Sequence, residues 1–257
     1  MHRQALYSEL ARYYDKIYWS KDYQQEVAFV LKALERNGVK GRRVLDVATG
    51  TGGHARILAA KGFEVTGVDI SEDVLRIAQS KVKGNSKFVK GDMRNLGAVG
   101  LDGGFDAATC LFSSISYNLN VGELKLTLRG IYDQLREGGV VVFDTHFTKE
   151  DFMDGYRGED IFDDGRVFGA RLSISKRDGD VGQVSFSYLI KDGGKTLVLR
   201  NDVHKFGLFD PEDFLKTMGE VGFVDANAFL DWKFEKTRSN RKFRDVVFAG
   251  RKPGREE

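Results

Sequence analysis

A glycine-rich turn is the segment of this sequence best suited to bind a ligand. Gly50, Gly52 and Gly53 follow the apolar run 44–47 and open a segment with helical character. Glycine lets the backbone approach a bound molecule closely, and the start of a helix offers free N–H groups. The turn alone is ambiguous, because Gly50, Gly52 and Ala55 also fit the loose pattern of a dinucleotide-binding loop. A tight strand-to-helix turn without a ligand is the purely structural alternative.

Two acidic residues follow the next apolar runs of the chain. Asp69 ends the run 64–68, about 20 residues beyond the glycines, where an acid binds a ribose diol in open α/β sheets. Asp92 ends the run 88–91, where its carboxylate could accept a hydrogen bond from an adenine amino group while Met93 packs on the ring. Aspartate is also common at helix N-caps, so each acid has a structural explanation. The glycine turn, Asp69 and Asp92 each follow one of three successive apolar runs. Together they favour a cofactor that contains ribose and adenine.

Short apolar runs alternate with helical segments as far as residue 148. The apolar runs lie near 44–47, 63–68, 87–89, 105–111 and 140–143, and the helical segments near 53–61, 72–83 and 121–136. Continuous apolar strands separated by helices are typical of a parallel sheet covered on both faces. Such a sheet brings the glycine turn and both acids to its carboxyl edge. Helices are also predicted over 3–18 and 22–37, ahead of the first strand.

The pattern changes after residue 148. Residues 166–206 alternate between polar and apolar types with a period of two, and Asp-Gly pairs join the segments, as in β-hairpins. A helix that begins at Pro211 and two strands, near 224–232 and 244–250, close the chain. The second half therefore predicts a small antiparallel sheet inserted before the last elements of the α/β fold.

Composition and charge exclude several classes of protein. The 257 residues carry a formal net charge of +2, which argues against nucleic acid as a partner. The 30 glycines outnumber the 2 prolines, whereas disordered chains are usually rich in proline. The single cysteine, Cys110, permits no intrachain disulfide and no cysteine-based zinc site, and we expect no bound metal. The apolar runs are far shorter than the roughly 20 residues of a membrane span, and the N-terminus has no apolar signal core, so we expect a cytoplasmic protein without membrane contact.

Four motifs resemble those of the class I S-adenosylmethionine-dependent methyltransferases. They are LDVATGTG at the glycine turn, GVDIS around Asp69, GDMRNL around Asp92, and LREGGVVVF, in which Glu137 stands where proline is usual. The segments YYDKIYWSKDY, LFSSISY, GGVVVFD and DVHKFGLF resemble more narrowly the amino-sugar N,N-dimethyltransferases of macrolide biosynthesis. Those enzymes dimethylate the amino group of a nucleotide-linked deoxysugar and are dimers. The resemblance implies methyl transfer from S-adenosylmethionine to the nitrogen of a small-molecule acceptor, in a homodimer.

The predicted fold class is α/β: a Rossmann-like class I methyltransferase sheet with an inserted small antiparallel β-sheet. We expect four parts in the chain. They are an N-terminal helical lid over 1–40, a cofactor-binding α/β core over 41–150, an antiparallel insertion over 151–206, and a C-terminal helix and strands over 207–257. The insertion is expected to cap the acceptor and to provide a dimer contact, and the last part is expected to complete the core sheet.

The resemblance also implies a set of cofactor-binding residues. The set is Tyr23, Ala48, Gly50, Gly52, Asp69, Ile70, Asp92, Met93 and Leu111. Tyr23 would bind the methionyl carboxylate, and the backbone of Leu111 would contact the methionyl amino group. Asp69 would hold the ribose, whereas Asp92 and Met93 would hold the adenine.

Five residues are candidates for contact with the acceptor: Tyr18, Tyr117, Asp144, His146 and Arg244. Tyr18 and Tyr117 are the candidate catalytic residues, and Tyr117 would orient the acceptor amine or take its proton through water. Asp144 could hold a hydroxyl or an amine, His146 lies on the same face of an extended chain, and Arg244 is a candidate for a substrate phosphate. A neutral amine is already nucleophilic, so proximity and orientation can supply most of the catalysis without a strong general base.

Other functions stay open on the sequence alone. An RNA or protein methyltransferase is one, and the basic run 233–244 with its aromatic residues could touch RNA. The Asn/Asp-Pro-Pro-aromatic motif of one such subclass is absent, because 113–117 reads SSISY. A nicotinamide-dependent oxidoreductase would use the same glycine turn, but that function does not explain Asp92 and Met93 after the third apolar run. A non-catalytic cofactor-binding protein is a further alternative. The sequence does not decide which of Tyr117, His146 and His204 faces the acceptor.

Overall fold

Eleven β-strands and six α-helices lie in the part of the chain that the structure, a computed structural model, describes: residues 4–234 and 244–254. The strands are β1 (Arg43–Val47), β2 (Glu64–Asp69), β3 (Ser86–Lys90), β4 (Phe105–Cys110), β5 (Leu135–Thr145), β6 (Arg157–Asp163), β7 (Val167–Asp178), β8 (Val181–Asp192), β9 (Lys195–Gly207), β10 (Val224–Leu230) and β11 (Val246–Arg251). The helices are α1 (Tyr14–Ile17), α2 (Tyr23–Arg36), α3 (Gly53–Ala60), α4 (Glu72–Lys81), α5 (Val121–Gln134) and α6 (Pro211–Val221).

The central sheet has seven strands in the order β10-β11-β5-β4-β1-β2-β3. The five strands from β5 to β3 run parallel, which confirms the predicted parallel sheet. The two C-terminal strands complete the sheet in antiparallel pairings, β11 with β5 and β10 with β11. The strand order reverses between β1 and β4, and ligands bind at such a reversal, outside the carboxyl ends of the strands.

Helices cover both faces of the central sheet, as the continuous apolar strands predict. On one face, Leu128 of α5 and Phe214 of α6 share a buried cluster with Leu45 of β1. On the other face, Val30 of α2 and Leu58 of α3 belong to a second cluster. Because α2 is packed into the core, only the residues ahead of it form a lid, and we restrict that name to residues 4–22.

The lid is not the continuous helix predicted over 3–18. It consists of 3₁₀ turns at Ala5–Tyr7 and Ala11–Tyr13 followed by the single turn of α1. Ser8 leaves the helical region, with a φ of −131°. The break lets Leu6 and the aromatic residues after it join one buried cluster with β8 of the inserted sheet. Tertiary packing therefore overrides the helical propensity of this segment.

Strands β6 to β9 form a separate antiparallel sheet in chain order. Gly179 and Gly193 take φ angles of 57° and 59° at two of its turns, in the left-handed region that favours glycine. Successive side chains of β7 point to opposite faces. Arg171 lies on the inner face, towards the central sheet, whereas Leu172 and Ile174 are about half exposed or more on the outer face.

Two expectations about partners concern a membrane and RNA, and both can be compared only with the described residues. None of the described helices is long and apolar enough to cross a membrane. Most of the basic run 233–244, which could touch RNA, lies outside the described residues.

Candidate functional site

The glycine-rich turn lies at the carboxyl end of β1, next to the reversal of strand order. Ala48, Gly50 and Gly52 take φ angles of 56°, 57° and 77°. The buried carboxylate of Asp46 holds the turn from below, because it accepts a hydrogen bond from Thr49 Oγ1 at 2.6 Å. The space above Gly50 is open, since a Cβ built there would meet no atom within 4 Å. The turn therefore leaves its backbone accessible to a ligand.

Asp69 joins the end of β2 to this turn. Its Oδ2 accepts a hydrogen bond from the Gly50 N–H at 2.9 Å, and its Oδ1 accepts one from the Ser71 N–H at 2.9 Å. Burial raises the pKa of Asp69, and the backbone donors partly oppose that rise. A carboxylate has about four acceptor positions, so Asp69 keeps room for another donor. This edge of the sheet, with Ile70 exposed beside it, can therefore accept a hydrogen bond from a ligand hydroxyl.

Tyr23 begins α2 and covers the start of α3. A Cβ on Gly53 would come within 2.4 Å of the Tyr23 ring, and the ring meets His54 edge-on at 4.9 Å between centroids. Glu26 accepts a hydrogen bond from His54 Nε2 at 2.5 Å and another from the ammonium of Lys21. Burial opposes ionisation of Glu26, but the contacts with His54 and Lys21 lower its pKa below the usual value. Tyr23 and this buried group thus flank the glycine turn.

Asp92 lies at the end of β3, as predicted, but with a partner that the sequence did not suggest. Its carboxylate accepts hydrogen bonds from the Arg94 N–H at 2.9 Å and the Arg94 guanidinium at 2.7 Å. These bonds lower the pKa of Asp92. Met93 packs against the core beside it, and Leu111 is buried directly after β4. The predicted cofactor residues therefore meet along the carboxyl ends of β1 to β4.

The chain takes an unusual path at the carboxyl end of β4. Phe112 and Ser113 both have left-handed backbones, with φ angles of 63° and 56°. The Ser113 N–H donates to Asp144 Oδ2 at 3.0 Å, which holds this path in place. The Ser113 hydroxyl accepts from the His146 N–H at 3.1 Å and lies 2.6 Å from His146 Nδ1. The hydroxyl donates to Nδ1 when the neutral imidazole carries its proton on Nε2.

Asp144 lies beneath the site rather than in its lining. Its residue exposure is 2%, and its Oδ1 has no hydrogen-bond partner among the described residues. Burial raises the pKa of Asp144 well above its usual value, and repulsion from Glu26 adds to the effect. One ligand atom each from Asp144, His146 and Asp245 lies within 4.8 Å of the others. This group has the composition of a divalent-cation site, which the sequence did not suggest.

A cavity of about 620 Å³ lies between the lid, the carboxyl edge of the central sheet and the inner face of the inserted sheet. Tyr18, Tyr117, His146 and His204 all line it, so all three groups between which the sequence did not decide face the same space. Arg171 of the inserted sheet donates to the Tyr18 hydroxyl at 2.6 Å. Polar groups from three separate parts of the chain therefore surround one potential ligand.

A chain of hydrogen bonds fixes Tyr117 in this cavity. Asp202 Oδ2 lies 3.1 Å from His204 Nε2, and His204 Nδ1 lies 2.6 Å from the Tyr117 hydroxyl. In the neutral tautomer that donates from Nε2 to the carboxylate, Nδ1 accepts from the Tyr117 hydroxyl. The Tyr117 oxygen is then 2.9 Å from the Tyr7 hydroxyl of the lid and can accept from it.

The lid is bound to both sides of the cavity. The buried carboxylate of Asp202 accepts the Ala5 and Leu6 N–H groups at 2.8 and 3.0 Å, which ties the lid to the inserted sheet. On the other side, the Tyr7 carbonyl accepts a hydrogen bond from the Ser71 hydroxyl beside β2. The lid thus covers the cofactor edge and the cavity together.

Tyr117, Tyr18 and His146 are poorly suited to act as a general base at neutral pH. Burial raises the pKa of Tyr117 well above its usual value and also raises that of Tyr18, so both hydroxyls stay protonated. Burial, followed by the nearby charge of Lys21, lowers the pKa of His146 to about 4. This imidazole is therefore neutral at pH 7 but a weak proton acceptor. The arrangement can orient a ligand better than it can deprotonate one.

Arg244, the expected phosphate ligand, does not line the cavity. Its guanidinium donates to Asp151 at 2.8 Å and to Glu150 at 2.9 Å. These acids already neutralise it. Arg241, a second basic residue of the run 233–244, lies outside the described residues.

Several residues of the site were missed by sequence reasoning. They are Tyr7, Lys21, Arg171 and Asp202. Asp202 could have been found, because it precedes His204 by two residues in an extended strand and so shares its face. Tyr7 and Arg171 act through contacts between distant parts of the chain, and Lys21 combines a contact with the nearby Glu26 with one to the distant Phe112 ring.

Comparison with known proteins gives the same class of function. A family model described as a methyltransferase domain matches residues 44–139. The chain is 32% identical over 222 residues to the dTDP-3-amino-3,6-dideoxy-alpha-D-glucopyranose N,N-dimethyltransferase of Streptomyces fradiae, covering 85% of this chain and 86% of that protein.

Solved structures extend the similarity to nearly the whole fold. The sugar N-methyltransferase KedS8 from Streptoalloteichus sp. superposes with a TM-score of 0.80 at 26% identity, covering 98% of this chain and 95% of KedS8. S-adenosylmethionine-bound CalS10, an amino pentose methyltransferase from Micromonospora echinaspora, gives a TM-score of 0.74 at 25% identity, with 98% of each chain covered. The chain therefore belongs to the S-adenosylmethionine-dependent methyltransferases, in the family that includes the amino-sugar N,N-dimethyltransferases, and is an enzyme with S-adenosylmethionine as its cofactor.

Proposed function

We propose that the enzyme transfers a methyl group to the nitrogen of a small-molecule amine that binds in the 620 Å³ cavity. The observation that carries the proposal is the position of this cavity. It adjoins the carboxyl edge of the central sheet, and its lining comes from that edge, the lid and the inserted sheet. An amine placed there lies next to the carboxyl edge at which we place the cofactor. The relatives named for amino-sugar substrates support an amine as the acceptor.

We also propose which residues bind the cofactor, from their positions at the carboxyl edge of the central sheet. We assign the ribose to Asp69 with Ile70 beside it, and the adenine to Asp92 and Met93. The methionyl part is assigned to Tyr23, Leu111 and the turn of Ala48, Gly50 and Gly52. Open space above Gly50 and the spare lone pairs of Asp69 support this arrangement.

Bound S-adenosylmethionine supplies an electrophilic methyl group on a positively charged sulfur. The neutral amine would take this methyl group on its lone pair, the electrons of the broken C–S bond would stay on sulfur, and the resulting ammonium would lose a proton to water. Tyr117 is the orienting residue, because its oxygen, held by His204 and Tyr7, has a lone pair left for the N–H of an amine. Tyr18 keeps its own proton and can donate it to the acceptor. Catalysis then rests on proximity and in-line orientation.

Methyl transfer from labelled S-adenosylmethionine tests this function. Separate reactions contain simple amines, amino sugars, sugar nucleotides and bulk RNA as acceptors. We expect label in one or more of the small amines, with a mass increase that locates the methyl group on nitrogen. Label in RNA alone, or methylation of oxygen only, contradicts the proposal.

We also propose that the enzyme is a homodimer that pairs through the outer face of the inserted sheet. Seven apolar side chains are exposed on that sheet: Ile161, Phe168, Leu172, Ile174, Leu189, Val198 and Val203. Their strand register places them on one face, and an apolar surface of this kind is typical of a protein interface. A reducing cytoplasmic location is consistent with the buried free thiol of Cys110.

Light scattering measures the oligomeric state directly. The unchanged chain is expected at twice its formula mass, and Leu172→Lys at the monomer mass, because the new charge would be buried in the interface. Leu126→Lys on α5, a similarly exposed leucine outside the inserted sheet, serves as the control. A monomeric unchanged chain refutes this interface.

A further inference from the structure

His204 lies in the wall of the cavity and is almost completely buried, with 1% of its surface exposed. Nδ1 of its ring lies 2.6 Å from the Tyr117 hydroxyl, and Nε2 lies 3.1 Å from Asp202 Oδ2. The rings of Tyr7 and Phe186 meet the imidazole edge-on, at 5.6 and 5.2 Å between centroids. The imidazole is therefore fixed in position, with Nδ1 held against a tyrosine that lines the cavity.

Asp202 gives His204 a negatively charged partner. The residue is 5% exposed, and its carboxylate accepts the Ala5 and Leu6 N–H groups at 2.8 and 3.0 Å. Burial opposes the ionisation of Asp202, but the contact with His204 and these two N–H groups lower its pKa. A carboxylate beside an imidazole stabilises the ring when it takes up a second proton. Asp202 can therefore stabilise a positive charge on His204.

The Tyr117 hydroxyl can carry a proton between the cavity and His204. A phenol has one proton to donate and two lone pairs. Its proton points to His204 when Nδ1 is the acceptor, and one lone pair can accept from the Tyr7 hydroxyl 2.9 Å away. The second lone pair is left for an N–H group of the acceptor. Burial raises the pKa of Tyr117 well above its usual value, so this hydroxyl passes a proton on only as it receives another.

An amine in this cavity must lose a proton before it can react. The ordinary pKa of a lysine ammonium is about 10.4, so an aliphatic amine is mostly protonated at neutral pH. An ammonium has no lone pair for a methyl group. Beside the positive sulfur of S-adenosylmethionine, loss of that proton is favoured, because a nearby like charge disfavours the charged form. A group that accepts the proton away from the sulfur therefore helps the reaction.

We propose that the ammonium of the acceptor passes this proton through Tyr117 to His204 before the methyl group is transferred. The ammonium N–H bond breaks, and its electrons stay on nitrogen as the lone pair. The proton goes to the Tyr117 oxygen while the Tyr117 hydroxyl proton goes to His204 Nδ1, so no free phenolate forms. After the product has left, the imidazolium returns the proton through Tyr117 to water. The proposal rests on the N-methyltransferase function proposed above and adds His204 to it as the proton acceptor.

Two small amines that differ in basicity test this route. Ethylamine is mostly protonated at neutral pH, whereas 2,2,2-trifluoroethylamine has nearly the same shape and is mostly neutral, because its fluorine atoms withdraw electrons. His204→Asn keeps a polar atom near the position of Nδ1 but cannot take up a proton. We expect this variant to lower kcat/KM for ethylamine on the order of a hundredfold, as the loss of a proton-accepting side chain does. For trifluoroethylamine we expect a loss of about threefold, the effect of a weakened hydrogen bond.

His146→Asn is the matched control. It removes the same kind of ring from the same cavity, but His146 is bound to Ser113 rather than to Tyr117. Any loss of activity in this variant should be the same for both amines. Calorimetry with S-adenosylhomocysteine shows whether each variant is folded and binds the cofactor product.

Raising the pH gives a second readout, with the amine that takes most label from S-adenosylmethionine. At about pH 10, near the ordinary pKa of an alkylammonium, the solution supplies neutral amine, so the defect of His204→Asn should largely disappear. This comparison also decides the question if neither small amine is methylated.

The other titratable groups near His204 do not change charge over this range of pH. Those described around His204 and its partner Asp202 are Tyr7, Tyr18, Tyr117, Tyr188 and Arg171. Burial raises the pKa of each of these tyrosines, so they stay protonated. Arginine keeps its charge, and Asp202 stays ionised.

Nitrogen-15 NMR reads the proton positions on His204 without turnover. The chain has four histidines, so the His204 signals are identified by their loss in His204→Asn. In the free enzyme we expect a proton on Nε2, towards Asp202, and none on Nδ1. A proton on Nδ1 leaves no place for the proton from Tyr117 and overturns the proposal.

The remaining outcomes separate this proposal from the general function. Equal losses for both amines in His204→Asn, or a defect that persists at about pH 10, give His204 a structural role and overturn the proton route, with N-methylation intact. A loss confined to ethylamine in His146→Asn assigns the proton to His146 and also overturns the proposal. If no amine takes label, the proposed function itself fails.

Discussion

Replacing Asp69 with alanine is expected to weaken the binding of S-adenosylhomocysteine by on the order of a hundredfold. The variant loses the carboxylate that would hold both ribose hydroxyls. It also frees the Gly50 and Ser71 N–H groups, so the glycine turn loses its tie to β2. Both effects act on the same ligand. Isothermal titration calorimetry measures the change in dissociation constant.

The matched control is Asp102→Ala. Asp102 is an exposed acid in the loop before β4 and is paired only with Lys87 among the described contacts. Its loss should leave cofactor binding unchanged. If Asp69→Ala binds S-adenosylhomocysteine as tightly as the unchanged enzyme, the assignment of the ribose to Asp69 is wrong.

Replacing Asp202 with alanine is expected to release the lid. Its buried carboxylate accepts the Ala5 and Leu6 N–H groups and also receives His204 Nε2, so one side chain holds both the lid and the chain that orients Tyr117. We expect kcat/KM for the acceptor to fall by about tenfold to a hundredfold, since buried donors lose a charged partner. Tryptic cleavage after Arg12 and Lys16 should become faster.

Asp178→Ala removes a carboxylate from the same inserted sheet without touching the lid and should change neither readout. Asp202→Asn keeps one acceptor oxygen and should lie between the two. Unchanged cleavage of the lid in Asp202→Ala would show that the remaining contacts, such as the one between Tyr7 and Ser71, are sufficient.

The cofactor side of the site could be predicted from the sequence because its geometry is local. Each element of that edge is a strand followed closely by the residue that we assign to the cofactor. Parallel strands bring such residues to one edge whatever the rest of the chain does. The glycine turn, Asp69 and Asp92 are therefore found where the motifs place them. The ion pair between Arg94 and Asp92 could not be predicted, because it depends on a side-chain conformation that residue spacing in the sequence does not encode.

The acceptor side could not be predicted to the same depth because its contacts join distant parts of the chain. Ala5 and Asp202 are 197 residues apart in sequence. The lid has helical composition, yet packing against the inserted sheet breaks it at Ser8. The ion pairs of Arg244 could not be predicted either, because Glu150 and Asp151 follow β5 and are far from Arg244 in the sequence. Such long-range contacts decide which charges are left for a substrate.

The double attachment of the lid has a consequence for successive rounds of reaction. One segment lies over both the cofactor edge and the acceptor cavity, so we expect one opening of that segment to release spent cofactor and methylated product together. An acceptor that receives two methyl groups would then leave and return between them. We therefore expect distributive turnover, in which the monomethylated compound builds up in solution before the dimethylated one.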